Sequence, residues 1–314
     1  MILTVTPNPA LDLTWRVARL TPGATHRVPT GSARAGGKGL NVARVLHGEG
    51  HDVLALAATG GRAGAEFERE LETSGIPHRL LNVEAATRRS VAVVDEQRGE
   101  TSVLNELGSP LADAEVRDLI DTAARLAREA HAVSVSGSLP PGLDEDEFER
   151  LVGDLVATGV PVVVDTSGPA LLAAARAGAH ALKPNLEELE AATGHADPIE
   201  GAHALLALGA ALVVVSLGEE GLIVARPHES PVRARLPRVL HGNATGAGDA
   251  AVAAIALELA QAGSDAASLS LAGLARRATA WSASAVLMPL AGELSAETGA
   301  LADEVAVTPI EKTS

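Results

Sequence analysis

Short apolar runs alternate along the chain with segments that have the periodicity of amphipathic helices. The predicted strands include residues 2–6, 53–58, 132–136, 160–165 and 211–216. The predicted helices include residues 63–74, 113–130, 144–157, 169–177 and a last one at 268–286. Continuous Val-rich strands between helices are typical of a parallel sheet that is covered on both faces. The pattern therefore predicts an α/β fold with a parallel-rich central sheet.

Two β-like stretches interrupt this alternation. Residues 11–33 are polar with scattered Pro and Gly, and residues 87–107 are predicted to contain a hairpin about the turn at Gly99. We expect these stretches to form a small β-sheet lid on one core made of residues 1–10, 34–86 and 108–314. Lids of this kind exclude water from reacting groups.

Polar and glycine-rich segments follow several predicted strands directly. They comprise Asp12 and residues 136–142, 165–167, 183–188 and 216–221. In an open α/β sheet, ligands bind outside the carboxyl ends of the strands. These segments are therefore predicted to lie along one edge of the sheet and to form a cleft.

The segment from Asn243 to Asp249 precedes an Ala-rich run that is predicted to be a helix. Gly246 and Gly248 allow close approach of a ligand, and the first amides of the helix are free to bind an anion. Asp249 stands beside this anion site. The combination indicates phosphoryl transfer, in which an Asp accepts the proton of the attacking hydroxyl.

Other interpretations of the glycine-rich segments remain open at this point. The Gly246 loop could be an ordinary strand-to-helix turn that ends in a capping Asp. Gly246, Gly248 and Ala251 also fit the loose dinucleotide fingerprint, which would suggest an NAD-dependent dehydrogenase. A Walker loop ending at Lys38 is excluded, because Ser32 and Gly39 stand where that motif needs Gly and Ser or Thr.

Composition narrows the choice of partners. With 46% hydrophobic and 21% charged residues, the 314-residue chain is typical of a soluble globular protein. A formal charge of −15 and the scarcity of aromatic residues argue against nucleic acid and acidic membranes as partners. The absence of Cys excludes thiolate chemistry. The chain has no basic n-region and no apolar run of membrane-spanning length, so we expect a cytoplasmic protein.

Lysine is rare among the 25 basic residues and occurs only at positions 38, 183 and 312. Lys38 follows two glycines, and Lys183 precedes Pro184. A compact ammonium in such a loop suits phosphate binding.

Six motifs in order resemble the ribokinase/PfkB family of sugar kinases, and most closely its phosphohexose branch. These motifs are residues 8–12 (NPALD), 36–43 (GGKGLNVA), 136–142 (SGSLPPG), 183–188 (KPNLEE), 216–218 (SLG) and 246–249 (GAGD). The resemblance spans nearly the whole chain. It implies a ribokinase-like fold, with the ATP site in the core and the lid covering a sugar-phosphate site.

The resemblance also implies roles for individual residues. Asp249 would be the catalytic base, and the amides of Gly246, Ala247 and Gly248 would form an anion hole. The residues that resemble the sugar-phosphate site are Asp12, Gly37, Lys38, Asn41, Arg88 and Ser138. Those that resemble the nucleotide site are Lys183, Asn185, Ser216, Gly218 and Gly221. Glu188 would take part in organising Mg²⁺.

The implied activity is an ATP- and Mg²⁺-dependent kinase that converts fructose 1-phosphate to fructose 1,6-bisphosphate. Tagatose-6-phosphate kinase is the main alternative, and a kinase of unphosphorylated sugars or nucleosides is a more distant one. Ala244 and Ala250 replace hydroxyl residues usual near the phosphates, which leaves open a sensor with weakened catalysis. Residues 102–105 lack an arginine that some phosphofructokinases carry there, which disfavours a 6-phosphate substrate. A homodimer joined through the lid is also left open.

Overall fold

The computed structural model describes residues 1–263 and 269–310. In chain order the strands are β1 Ile2–Thr6, β2 Ala10–Val17, β3 Ser32–Gly36, β4 Val53–Thr59, β5 His78–Asn82, β6 Arg88–Asp95, β7 Glu100–Asn105, β8 Ala132–Ser136, β9 Val162–Asp165, β10 Ala181–Leu182, β11 Val213–Ser216, β12 Leu222–Ala225, β13 Val232–Arg235 and β14 Ala306–Pro309. The helices are α1 Lys38–Gly48, α2 Gly61–Ser74, α3 Asp113–Ala127, α4 Glu145–Val156, α5 Pro169–Arg176, α6 Leu186–Thr193, α7 Pro198–Leu208, α8 Ala247–Ala262, α9 Leu271–Val286 and α10 Thr298–Glu304.

The main sheet has ten strands in the order β14-β13-β12-β11-β10-β9-β8-β1-β4-β5. The strands from β5 to β11 pair in parallel, and β12, β13 and β14 add antiparallel pairs at one end. Parallel neighbours need crossover connections, which the intervening helices supply. The predicted α/β fold with a parallel-rich sheet is confirmed.

Each face of the main sheet carries its own hydrophobic core. Along β1, Ile2 packs into the core that includes α1, α8 and α9, whereas Leu3 and Val5 pack into the core that includes α3, α4 and α5. Successive side chains of a strand point to opposite faces, so an apolar strand serves both cores. The predicted covering of both faces is therefore observed.

A second sheet has four strands in the order β3-β2-β6-β7. Strand β2 pairs in parallel with β6 and antiparallel with β3, while β6 and β7 form the predicted hairpin. The sequence predicts the hairpin strands at residues 91–95 and 101–104, and both are longer in the structure. Strand β3 continues to Gly36, so the small sheet runs directly into α1, which begins at Lys38.

Several elements differ from the sequence prediction. The prediction lacked β5 and β14, which lie at the two edges of the main sheet, and it lacked α10. The predicted start of the last helix at residue 268 lies outside the described residues, and α9 begins at Leu271. Within residues 1–263 and 269–310, none of the helices has both the length and the apolar character required to cross a membrane.

Candidate active site

A cavity of about 1220 Å³ opens at the carboxyl ends of the main-sheet strands, where the small sheet faces them. Every site residue predicted from the sequence lines it. These are Asp12, Gly37, Lys38, Asn41, Arg88, Ser138, Lys183, Asn185, Glu188, Ser216, Gly218, Gly221, Gly246, Ala247, Gly248 and Asp249. The predicted cleft is therefore one continuous space, because the carboxyl ends of parallel strands meet at one edge of the sheet.

Asp249 lies in the first turn of α8, which follows Gly246 in the left-handed conformation (φ 88°). Its side chain is only 5% exposed, and Asn41 Nδ2 donates a 2.7 Å hydrogen bond to its Oδ2. Burial raises the pKa of Asp249 to about 6, and the charge of Asp165 adds to the increase, against the effects of Asn41, Lys38 and Lys183. A carboxylate with a pKa close to neutrality is a competent general base.

The predicted anion-hole residues form the turn that leads into α8. The amide of Ala247 donates to the carbonyl of Ala244 at 3.2 Å, and the carbonyl of Gly246 accepts from the amide of Ala250. A Cβ atom added to Gly248 would lie 3.4 Å from Lys183 Nζ. The ammonium of Lys183 thus faces the same turn as the helix amides, and both favour an anion there.

Asp165, at the carboxyl end of β9, is fully buried between the two lysines. Its Oδ1 lies 3.2 Å from Lys38 Nζ and 3.6 Å from Lys183 Nζ. Lys38 Nζ also lies 3.6 Å from Glu188 Oε1. Burial would lower the pKa of Lys38, but the charges of Asp165, Glu188 and Asp249 outweigh burial and raise it above its usual value. Lys38 therefore carries its positive charge throughout the working pH range. The third lysine, Lys312, lies outside the described residues.

At the end of the cavity next to the small sheet, Asp12 lies in β2 and Arg88 begins β6. Burial raises the pKa of Asp12 to about 6, although Arg88, Arg34 and Arg44 oppose this shift. The guanidinium of Arg88 donates to the carbonyls of Asn8 and Glu106 at 3.0 to 3.2 Å. These bonds join the small sheet to the end of β1.

Asn8 and Gly36 keep this end of the cavity open and ordered. Asn8 Nδ2 donates to Ser138 Oγ at 3.2 Å and to the carbonyl of Leu107 at 3.1 Å. A Cβ atom on Gly36 would lie 1.9 Å from Asp12 Oδ2, so a side chain at that position would displace the carboxylate.

Asn185 and Glu188 form a reciprocal cap on α6. Asn185 Oδ1 accepts from the amide of Glu188 at 2.7 Å, and Glu188 Oε2 accepts from the amide of Asn185 at 2.9 Å. Each side chain therefore satisfies an amide of the helix end. Glu188 Oε1 remains directed toward Lys38, so the cap also positions one carboxylate oxygen at the cavity.

The two alanines that depart from the family pattern have different surroundings. Ala244 lines the cavity. Ala250 is fully buried in the core beneath α8, and among the described residues it is not one of those that line the cavity. Ala250 was expected to remove a hydroxyl from the phosphate site, but this position does not face the cavity.

Several lining residues were not predicted as site residues. Asp165 lies in the segment 165–167 that was predicted to form part of the cleft, and Asn8 begins the motif of residues 8–12, but neither was assigned a role of its own. Thr279 and Ser282 line the cavity from α9. The sequence offers no signal for them, because polar residues on one face of a helix are ordinarily solvent-exposed.

Gly218 and Gly221 provide a matched test of backbone constraint at the cavity rim. Gly221 has φ 84° and ψ −134°, and a Cβ on it would lie 2.0 Å from the carbonyl oxygen of Ala234. Gly218 has φ 60°, with no described atom within 4 Å of an added Cβ. We expect Gly221→Ala to lower the free energy of unfolding by about 3 kcal/mol, and Gly218→Ala by about 1 kcal/mol. Urea titration measures both, and equal losses would contradict the close contact.

The fold and the cavity, with the first amides of α8, two lysines and the buried Asp249 carboxylate at the sheet edge, are those of an α/β phosphotransferase. The chain belongs to the pfkB family of carbohydrate kinases, whose family model matches residues 7–298. Membership confirms the resemblance found in the sequence and replaces the dehydrogenase interpretation of the Gly246 loop. It also implies ATP as the phosphoryl donor.

Three known proteins are similar to this chain. It is 42% identical over 267 residues to the 1-phosphofructokinase of Xanthomonas campestris, covering 82% of this chain and 83% of that protein. The structure of Escherichia coli phosphofructokinase-2 in complex with fructose-6-phosphate matches with a TM-score of 0.85 and 28% identity, over 96% of this chain and 98% of that one. Arabidopsis thaliana ribokinase, complexed with ribose and ATP, matches with a TM-score of 0.72 and 21% identity, over 96% and 98%. The last match shows the ribokinase-like fold, and the first confirms the phosphohexose branch.

Proposed function

We propose that this chain transfers the γ-phosphoryl group of ATP to fructose 1-phosphate and forms fructose 1,6-bisphosphate. The observation that carries the chemistry is the buried Asp249, held by Asn41 at the start of an anion-binding helix. The choice of sugar phosphate follows from the 42% identity to a 1-phosphofructokinase. Tagatose 6-phosphate is the alternative substrate.

In this mechanism Asp249 accepts the proton of the sugar hydroxyl as its oxygen attacks the γ-phosphorus. The amides of Gly246, Ala247 and Gly248 stabilise the charge that develops on the transferring oxygens, and Ala247 exchanges its contact with Ala244 for this bond. Lys183 lies beside this turn and adds positive charge. Positioning and electrostatic stabilisation supply most of the rate enhancement in phosphoryl transfer.

At the sugar end, we assign Asp12 to the sugar hydroxyls and Arg88 to the existing phosphate of the substrate. Asp12 and Arg88 line the same part of the cavity, together with Gly37 and Ser138. A guanidinium fork recognises phosphate oxygens well. On β7 the cavity is lined by Asn105 and not by a second arginine. This fits a substrate whose phosphate lies at a different position from that of fructose 6-phosphate.

At the nucleotide end, we assign Lys183, Asn185, Ser216, Gly218 and Gly221 to ATP. Mg²⁺ would be held through the oxygens of Glu188 and Asn185, which are the hard donors that it prefers, together with water and phosphate. In the described ranges 1–263 and 269–310, no cluster of three or more His, Asp or Glu side chains could hold a metal ion. The site is therefore suited to an ion that arrives with the nucleotide and neutralises charge on its phosphates.

The small sheet, predicted as a lid from residues 11–33 and 87–107, is proposed to close over the sugar phosphate and to join two copies of the chain. Strand β7 is an edge strand whose side chains are all exposed, and Leu104 and Leu107 are 66% and 84% exposed. Light scattering of wild type and Leu104→Glu tests the dimer. We expect a dimer that the variant shifts to monomer, whereas a wild-type monomer would contradict the proposal.

The proposed base makes a specific prediction about pH. Because the pKa of Asp249 is about 6, kcat at saturating substrates should be constant above pH 7 and fall about tenfold per unit below pH 6. The fall occurs because a protonated carboxyl cannot accept the hydroxyl proton. Asp12 has a similar pKa, so the profile is measured in Asp12→Asn as well. Loss of the acid limb in Asp12→Asn would assign the titration to Asp12 instead.

The activity itself is tested by ADP formation with Mg-ATP and a panel of sugars. The panel contains fructose 1-phosphate, fructose 6-phosphate, tagatose 6-phosphate, fructose and ribose. We expect turnover to be fastest with fructose 1-phosphate. Preference for tagatose 6-phosphate would establish the alternative, and binding without turnover would favour a sensor with weakened catalysis.

A further inference from the structure

The chain after α9 forms a backing for the Gly246 loop. Asn243 Nδ2 donates to the carbonyl of Pro289 at 3.1 Å, and the Asn243 amide donates to the carbonyl of Val286 at 2.9 Å. A Cβ atom on Gly246 would lie 2.7 Å from Ala291 Cβ. Residues 289–292, which we call the backing segment, therefore leave no free space behind the turn that opens α8.

The opposite side of the backing segment contacts α1. A Cβ atom on Gly292 would lie 2.9 Å from Arg44 Cβ and 3.4 Å from the carbonyl oxygen of Asn41. Asn41 is the residue that donates to Asp249. The backing segment is thus held between the helix that orients the proposed base and the loop that forms the proposed anion hole.

Arg34, in strand β3 of the small sheet, fastens this segment. Its Nη1 donates to the carbonyl of Ala291 at 2.7 Å, and its Nη2 lies 3.4 Å from Glu293 Oε1. The side chain is about one-quarter exposed, and among the described residues Arg34 is not one of those that line the cavity. A guanidinium can serve a carbonyl and a carboxylate at the same time, which a single ammonium does less well.

We propose that Arg34 is a positioning residue that, through the carbonyl of Ala291, sets the Gly246 loop against Asn41 and Asp249. It thereby couples the position of the small sheet to that of the anion hole. This inference rests on the proposed function of Asp249 and the Gly246 loop. A shift of about 1 Å in such a loop is sufficient to lower turnover on the order of a hundredfold.

Arg34 has a second neighbour through which it could act. It pairs with Asp12 across β2 and β3, and its charge opposes the raised pKa of Asp12. An effect through Asp12 would change the KM for the sugar phosphate. An effect through the backing segment would change kcat, because the anion hole binds the transition state more strongly than the ground state.

The test compares the kinetics of Arg34→Ala, Arg34→Lys and Glu293→Gln. We expect Arg34→Ala to lower kcat on the order of a hundredfold with little change in KM, and Arg34→Lys to recover part of the loss through one bond to Ala291. Glu293→Gln is the matched control, since it leaves the bond to Ala291 intact, and it should retain kcat within about twofold. An unchanged kcat in Arg34→Ala, or a rise in KM alone, would overturn the proposal.

Amide hydrogen exchange tests the role of Arg34 independently of the proposed reaction. In Arg34→Ala, amides of residues 243–250 should exchange faster, whereas those of β9 and α5 should be unchanged. Inactivity of the wild type across the sugar panel would refute the proposed function without affecting this measurement. Equal exchange of residues 243–250 in both proteins would refute the role of Arg34, whatever the activity.

Discussion

Asp249→Asn is expected to lower kcat by roughly 10²–10⁴-fold, which is the contribution of a positioned general base. The amide cannot accept the hydroxyl proton, yet it keeps the size of the side chain beside Asn41. Binding of fructose 1-phosphate should persist, because the residues assigned to the sugar phosphate are unchanged. Single-turnover kinetics and calorimetric titration measure the two effects separately.

The stability of Asp249→Asn provides a second, independent test of the raised pKa of Asp249. Because the folded-state pKa of Asp249 is raised from 3.8 to about 6, the folded protein binds the proton more tightly than the unfolded chain does. The contribution of this group to stability is therefore lost as the pH rises from about 4 to about 6. Asp249→Asn should be at least as stable as wild type at pH 7. Full turnover of Asp249→Asn would refute the role of Asp249 as the base. The control variant is Asp303→Asn, at an exposed position on α10.

Asp165→Asn is expected to lower the free energy of unfolding by roughly 3–5 kcal/mol, the usual cost of breaking a buried ion pair by removing one partner. Lys183 is 3% exposed, and within residues 1–263 and 269–310 its one ion-pair partner is Asp165. The substitution keeps the shape of the side chain but removes the ion-pair partner of the buried ammonium. Urea unfolding at pH 7 measures the loss.

The same substitution should also shift the pH profile. The charge of Asp165 contributes to the raised pKa of Asp249, so its removal should move the acid limb of kcat to lower pH. Glu188→Gln is the matched control for stability, because Gln can still complete the cap with Asn185 on α6. A loss of stability in Asp165→Asn no larger than in Glu188→Gln would contradict the buried ion pair.

The sequence was sufficient for the parts of the structure that depend on local pattern. Val-rich strands such as β8, β9 and β11 bury both faces, so they could be recognised from continuous apolar runs. Edge strands β5 and β14 could not, because they are only partly buried and carry no such run. The Gly246 loop was recognisable because its glycines and the following helix are adjacent in sequence.

Residues separated widely in sequence needed the tertiary structure. Asp165 and Lys38 are 127 positions apart, and Arg34 and Ala291 are 257 apart, yet each pair is in contact. Such contacts follow from strand order and from the packing of loops, which no local pattern encodes. The spacing of Asn185 and Glu188 is ambiguous in the sequence, because it fits a helix cap as well as a pair of ligands.

The sequence by itself therefore determined the α/β class, the strand ends that carry chemistry and the residues expected in the cleft. Only the tertiary structure decided which charges compensate one another, that Asp249 is buried beside Asn41, and that Ala250 lies in the core. The physical reason is that a local sequence pattern reflects interactions between residues that are close in the sequence. Burial and pKa depend instead on the segments that the fold brings against it.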